Sequence, residues 1–163
     1  MNKVCFKKLE LDGTWYSWVA VGFGAGLSPV APGTVGTLVA VPVVIFFQFL
    51  SVTFWILATV FTILLSVWSA SRVSRETATK DHPSIVIDEV AGYVVTMLMI
   101  SVTWWSIIIG FVFFRIFDIL KPPPVDWLDR KISGELVITA DGVGAGLYAN
   151  IETHAKLYFF QIV

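Results

Sequence analysis

The sequence predicts an all-α integral membrane bundle in which broken or re-entrant helices surround a polar site at the cytoplasmic interface. Of the 163 residues, 56% are hydrophobic and only 14% are charged, whereas soluble domains carry about 25% charged residues. No Asp, Glu, Lys or Arg occurs from position 13 to 71 or from 90 to 114. Because about 20 apolar residues suffice to cross a bilayer, both stretches are long enough to lie in a membrane.

The length indicates a single domain, residues 1–163, that begins with a polar lead over residues 1–14. The net charge of −1, without a basic stripe, predicts no nucleic-acid partner. One cysteine, Cys5, excludes an internal disulfide and argues against a Cys-based metal site. No small-residue cleavage site follows the lead, so we expect the first apolar segment to remain in the mature protein.

Residues 21–37 form a glycine-rich stretch, GFGAGLSPVAPGTVGT after Val21, in which five glycines and two prolines predict a broken backbone. Such backbone is tolerated at membrane depth only where protein or water shelters it. Its N–H groups, with Ser28, Thr34 and Thr37, would suit an anion such as phosphate. Close helix packing through small residues is an alternative of equal weight.

Two membrane helices are predicted over residues 38–50 and 52–70, with a bend at Gln48–Ser51 between them. Arg72, Arg75 and Lys80 then mark a polar connection. The positive-inside tendency places this connection and the Lys-rich lead in the cytoplasm.

Asp88 and Glu89 are adjacent acids that run directly into an apolar segment. Neighbouring helical residues point about 100° apart, so both can reach one cavity only if it is broad or a second helix closes it. The alternative is an interfacial pair in a first helical turn, stabilised by the helix dipole. His82, just before the acids, is either a proton carrier or a plain helix-start residue.

The segment FVFFRIFDILK, residues 111–121, places Arg115, Asp118 and Lys121 three apart, on roughly one helical face. Three prolines that follow should end the helix just past Lys121. An interfacial Arg and Lys, with Asp118 paired to one of them, is the alternative. Because these basic residues should also be cytoplasmic, residues 90–114 are expected to turn back as two half-helices broken near Ser101–Trp105.

The remaining chain is predicted as an amphipathic turn or short helix over residues 125–130, then an apolar segment over residues 138–150. Asp141 stands near the start of this segment, among glycines that permit close helix contact. The tail, residues 151–163, is too short to span a membrane alone.

Four acids, Asp88, Glu89, Asp118 and Asp141, therefore stand where polar stretches meet apolar helices. Clustered carboxylates need a hard cation or basic groups, and oxygen ligands favour Mg²⁺, with Mn²⁺ as a substitute, over zinc. Arg115 and Lys121 could neutralise a phosphate. These are the parts of a phosphoryl-transfer site, and at a membrane surface its substrate would be a lipid with a phosphate headgroup.

The motifs GFGAGLSPVAPGTVGT, DHPSIVIDEVAG, RIFDILKPPP with WLDR, and ADGVGAG, in this order, resemble those of the phosphatidylglycerophosphatase A family of bacterial membrane phosphatases. The resemblance covers about residues 15–148. It implies a Mg²⁺-dependent enzyme of the inner membrane, with several crossings and cytoplasmic chemistry, that converts phosphatidylglycerophosphate in the bilayer to phosphatidylglycerol. It carries over functional positions as Asp88, Glu89, Arg115, Asp118, Lys121 and Asp129.

One departure from the family pattern concerns the last acid. The family commonly has two adjacent acids there, whereas this chain has Asp141 followed by Gly142. If the second acid is a ligand, this chain has a poorer metal site or uses water instead. If it is not a ligand, activity should survive.

The predicted mechanism uses Asp88, Glu89, Asp118 and Asp141 as catalytic groups and metal ligands, and Arg115, Lys121, Ser28 and Thr34 for substrate binding. Attack by water and an aspartyl-phosphate intermediate both stay open. A CDP-alcohol-type phosphatidyltransferase is one rival, although it would need more spaced acids after Asp141. A non-enzymatic transporter or assembly protein is the other, although a conduit would place its acids at different depths.

Overall fold

The computed structural model describes residues 14–77, 82–123 and 136–159, and every regular element within these ranges is helical. The predicted all-α class is thus confirmed for this part of the chain. Predictions for most of the polar lead, for Lys80, for residues 125–130 with Asp129, and for the end of the tail fall outside the described residues. The helices are α1 (Trp15–Ala20), a 3₁₀ helix (Gly22–Leu27), α2 (Pro32–Phe47), α3 (Val52–Thr77), α4 (Ile87–Thr96), α5 (Trp104–Leu120) and α6 (Leu136–Phe159).

The glycine-rich stretch is broken only in its first half. Gly22 and Gly24 take positive φ values of 56° and 102°, which glycine adopts without a steric penalty. The predicted break in the backbone is therefore observed, but the predicted start of the next helix at residue 38 is wrong, because α2 begins at Pro32. Proline is favoured at this first helical position, where its missing N–H removes no hydrogen bond.

Helix α3 is longer than predicted. The bend over residues 48–51 is confirmed, but α3 continues to Thr77, so Arg72 and Arg75 lie on the helix and not in a connection. The sequence between residues 70 and 77 contains no glycine or proline that would end a helix. Within the described residues, α3 alone combines the length and apolarity needed to cross a bilayer, so a bundle with several crossings stays a prediction.

The predicted break between α4 and α5 is observed, while re-entry of the two helices into a membrane stays a prediction. Residues 97–103 separate them, and a capping box between Thr103 and Ser106 starts α5. Side chains bind backbone carbonyls on both sides of the break. Tyr93 Oη donates to the Ile107 carbonyl at 2.9 Å, and Asn150 Nδ2 donates to the Thr96 carbonyl at 2.8 Å. Buried backbone carbonyls at the end of α4 are therefore satisfied.

Helix α6 is a single helix, so the predicted division between an apolar segment and a separate tail at residue 150 is wrong. It lies in backbone contact with α4, which is buried along most of its length. A Cβ atom on Gly142 would lie 2.6 Å from the Asp88 carbonyl oxygen, and one on Gly146 would meet the Gly92 carbonyl oxygen. Glycine lets α6 pass this close to the start of α4.

Candidate functional site

Asp88 and Glu89 occupy the first turn of α4. Their carboxyl groups are close enough to influence each other's ionisation. Asp88 Oδ1 and Glu89 Oε2 are buried and accept no hydrogen bond within the described part of the chain. Burial, and then the neighbouring Glu89 carboxylate, raise the pKa of Asp88 well above its ordinary value, and burial also raises the pKa of Glu89. Ionisation of the two acids is therefore disfavoured in the folded chain.

Two neighbouring helices pack against the acidic pair. This matches the condition, set by the 100° between neighbouring residues, that a second helix must close a cavity that both acids reach. Helix α6 passes Asp88 at Gly142, and α2 meets Glu89 at Gly33. A Cβ atom on Gly33 would collide with Glu89 Oε1 and lie 3.2 Å from Arg115 Nη1. The start of α2, the start of α4 and the end of α5 therefore come together at one place.

Arg115 and Asp118 bring α5 to this place. Arg115 Nη1 donates to Asp118 Oδ2 at 2.7 Å, and both side chains are mostly buried. The Asp118 carboxylate is close enough to act electrostatically on Asp88, Glu89 and Asp141. The predicted pairing of Asp118 with a basic residue is observed, and it occurs within a cluster of acids rather than alone.

Lys121 links α5 to α6. The described helix α5 ends at Leu120, and Lys121 is a left-handed cap with φ of 43°. Its Nζ donates to Asp141 Oδ2 at 2.5 Å, and nearby Tyr148 Oη donates to the Pro123 carbonyl at 2.8 Å. Lys121 thus turns toward α6 instead of continuing the helical face of Arg115 and Asp118.

The three distant acidic segments therefore meet, which the sequence predicted from the residue types alone. Asp88, Glu89, Asp118 and Asp141 lie with Arg115 and Lys121 in one cluster, called the charged cluster below. Meeting in one cluster shows that these residues can act together, and their catalytic roles stay predictions.

The predicted anion-binding groups of the glycine-rich stretch divide into two sets. Thr34 lies in the first turn of α2, where Pro32 has no N–H and Ala31 supplies no side-chain cap. The first-turn N–H groups have no intrahelical acceptors, and Gly33 of this turn lies beside Glu89 and Arg115. Ser28 Oγ donates to the Val30 carbonyl at 2.9 Å, and Thr37 Oγ1 donates to the Gly33 carbonyl at 2.9 Å. Substrate binding by Ser28 and Thr34 stays a prediction.

The charged cluster suits a cation by its chemistry. In the described residues, no three His, Cys, Asp or Glu side chains are placed as a ready metal site. Asp88 and Glu89 nevertheless present two buried oxygens with unmet acceptor capacity, and hard divalent ions prefer such ligands. Asp118 and Asp141 are bonded to Arg115 and Lys121, so ligation by all four acids stays a prediction.

Three further residues, His82, Gly33 and Gly142, lie near the charged cluster in sequence or in space. His82 Nδ1 accepts from the Ser84 N–H at 3.2 Å, in a turn that precedes the N-cap of α4 at Val86, so His82 does not start the helix and its role as a proton carrier stays a prediction. Gly33 and Gly142 bring helices against the acids, and the sequence signal for them was only the glycine-rich context. Position 142 contacts the Asp88 backbone, so its glycine has a packing role in this chain.

Comparison with known proteins gives one family. The family model described as phosphatidylglycerophosphatase A matches residues 18–156. The chain is 36% identical over 145 residues to phosphatidylglycerophosphatase A of Escherichia coli (strain K12), covering 88% of this chain and 84% of that protein. It is 37% identical over 143 residues to the Haemophilus influenzae protein of the same name, covering 86% and 88%.

A further relative carries a different substrate in its name. This Bacteroides thetaiotaomicron protein, named as a candidate phosphatidylinositol-3-phosphatase, is 33% identical over 142 residues, covering 82% of this chain and 87% of its own. No solved structure matches the chain.

Proposed function

The chain belongs to the phosphatidylglycerophosphatase A family, and from this premise we propose that it hydrolyses phosphatidylglycerophosphate to phosphatidylglycerol and inorganic phosphate. Relatives of that name cover most of the chain. The observation that carries the proposal is the charged cluster, in which acids and bases from α4, α5 and α6 meet beside the start of α2.

Arg115 and Lys121 would bind the phosphate. Each already donates to a carboxylate, and the planar guanidinium has further N–H donors for a phosphoryl oxygen. Their positive charge would stabilise the charge that spreads over the transferring group. First-turn N–H groups of α2, at Gly33 and Thr34, would add donors where the helix dipole favours an anion.

The acids would hold a divalent cation and a water. Asp88 and Glu89, with Asp118 and Asp141, are the groups to hold Mg²⁺ or Mn²⁺, which would supply Lewis-acid polarisation of the phosphoryl oxygens. The raised pKa values of Asp88 and Glu89 mean that their ionisation is disfavoured without a cation, and a bound cation would favour the ionised ligands. Direct attack by water and transfer through an aspartyl phosphate both remain candidates.

The proposed location is the bacterial inner membrane, with several crossings and the charged cluster on the cytoplasmic side. Large apolar side chains are exposed along the surface of α3 and at the adjoining end of α2, including Phe46, Phe54, Leu57, Phe61 and Leu64. An apolar surface of this extent is rare on soluble monomers. Arg72 and Arg75 at the end of α3 favour a cytoplasmic position for that end.

The two rivals fit the charged cluster less well. The acids meet in one place together with Arg115 and Lys121, whereas an ion path would distribute them through the membrane. A phosphatidyltransferase would use the same metal chemistry but would release no inorganic phosphate.

The test is phosphate release by the purified full-length protein in detergent–lipid micelles. Phosphatidylglycerophosphate, phosphatidylinositol 3-phosphate and phosphatidic acid are supplied separately, each with Mg²⁺ and with EDTA. We expect Mg²⁺-dependent release that is fastest from phosphatidylglycerophosphate. Faster release from phosphatidylinositol 3-phosphate would show that this lipid, and not phosphatidylglycerophosphate, is the preferred substrate. Absence of release from all three lipids would refute the function.

A further inference from the structure

We propose that the outer face of α5 is the track along which the acyl chain of the phosphate-bearing lipid lies while its headgroup is at Arg115. The inference rests on the proposed function and extends it by naming the surface that selects a lipid over a free phosphate ester. It follows from the arrangement of exposed side chains around a single cation.

Arg115 stands within an exposed apolar stripe on α5. At 3.6 residues per turn, Ile108, Val112 and Ile119 lie within about 60° of Arg115 around the helix. Their exposed fractions are 53%, 49% and 70%, whereas the Arg115 side chain is only 19% exposed. The same helical face therefore presents an apolar surface to the outside and a cation at one point along it.

The length of the stripe fits one membrane leaflet. Exposed Trp104 marks the start of α5, and the 11 residues from there to Arg115 span about 16 Å at 1.5 Å per residue. Half of a hydrocarbon layer of about 30 Å is about 15 Å. A lipid with its phosphate at Arg115 would therefore extend its acyl chain along the part of the stripe between Arg115 and Trp104.

Charge and apolarity together identify the occupant. A second protein copy would cover the apolar side chains but has no need of a cation beside them. A phosphate-bearing lipid matches both features, because its anionic group is covalently joined to a hydrocarbon chain that can follow Val112 and Ile108 away from Arg115.

The first test compares two matched double variants in the full chain. Ile108→Ser with Val112→Ser changes the stripe. Leu57→Ser with Val60→Ser changes residues on α3 that are exposed to a similar extent, 56% and 47%. For each variant, KM is measured with phosphatidylglycerophosphate in mixed micelles, and the inhibition constant is measured for the same headgroup ester without acyl chains.

We expect the α5 variant to raise KM for the lipid about tenfold, which corresponds to about 1.4 kcal/mol. Its inhibition constant for the tail-free ester should be unchanged, and the α3 variant should change neither constant. Equal effects of the two variants on KM would overturn the inference, as would an equal weakening of the tail-free ester by the α5 variant.

The second test does not depend on catalysis. Phosphatidic acid with a photoreactive diazirine in one acyl chain is irradiated with the wild-type protein, and the labelled peptides are mapped. We expect label on α5 that an excess of the tail-free headgroup ester reduces. Label spread equally over α3 and α5, or label that the ester leaves unchanged, contradicts the inference. If no phosphate is released by the wild type, the proposed function fails, and this mapping still decides whether the stripe holds the lipid.

Discussion

Replacement of Gly33 by alanine should reduce activity without reducing stability. Gly33 lies in the first turn of α2. The added methyl group would collide with Glu89 Oε1 and lie 3.2 Å from Arg115 Nη1, whereas ordinary contact with a Cβ begins at 3.4 Å. Both obstructing groups are the ends of side chains, so they can move while the helices stay in place.

The two consequences have different magnitudes. Alanine is favoured over glycine in a helix by up to about 1 kcal/mol, and less in the first turn, which offsets the cost of moving two side chains. The free energy of unfolding should therefore change by less than about 1 kcal/mol. A displacement of about 1 Å at groups that bind the reacting phosphate costs about 100-fold in rate, or about 2.7 kcal/mol of transition-state stabilisation.

The assay is kcat/KM for phosphate release, with thermal unfolding followed on the same preparations. Gly110→Ala is the matched control, because its added Cβ would lie 2.8 Å from the Met97 sulfur, a flexible group outside the charged cluster. We expect near-normal activity from the control. Wild-type kcat/KM in Gly33→Ala would refute the role of α2 in the site, and a large loss of stability would refute the reasoning about which atoms move.

Three further substitutions test the charged cluster. Asp118→Asn should lower kcat at least about 100-fold while the protein still partitions with the membrane fraction; full activity would remove Asp118 from the mechanism. Asp88→Asn should raise the unfolding temperature at pH 7 in EDTA, because the folded-state pKa of Asp88 is raised above 3.8 and ionisation of this acid opposes folding as pH rises from there. The higher unfolding temperature of Asp88→Asn should disappear near pH 4. A difference that persists there would contradict ionisation of Asp88 as its cause. Lys121→Met should raise KM more than it lowers kcat, whereas an unchanged KM would show that Lys121 only holds Asp141.

The sequence predicted the parts of the site better than the bounds of the helices. The half-helix break before α5 followed from the requirement that the basic residues share one side, and it is observed. The arginines after residue 70 suggest a helix end there, yet α3 continues to Thr77, because a helix continues through charged residues when no proline or glycine stops it. Helix α2 began earlier than expected, because Pro32 starts a helix as readily as it prevents one.

The sequence predicts that the acids meet in one place, but it does not show which residues let their helices pack so closely. Asp88, Asp118 and Asp141 are recognisable as costly charges in apolar surroundings, which is a local property of the sequence. Their approach depends on Gly33 and Gly142, where missing side chains let helices touch the acidic pair. Only the packed structure distinguishes such glycines from those that merely bend the chain, such as Gly24 with its φ of 102°.

The charge balance of the cluster indicates why a divalent cation should be needed. Four acids and two bases leave an excess of two negative charges when all are ionised (4 − 2 = 2), and this excess would repel a phosphate ester. Without a cation, the raised pKa values of Asp88 and Glu89 relieve the excess by retaining protons. Binding of Mg²⁺ must then release protons, so the concentration of Mg²⁺ for half-maximal activity should fall as pH rises above the ordinary range of the two acids. Titration with Mg²⁺ at several pH values in weakly buffered solution measures both effects. An activation constant independent of pH, with no proton release, would mean that the acids are already ionised and that Arg115 and Lys121 suffice to balance them.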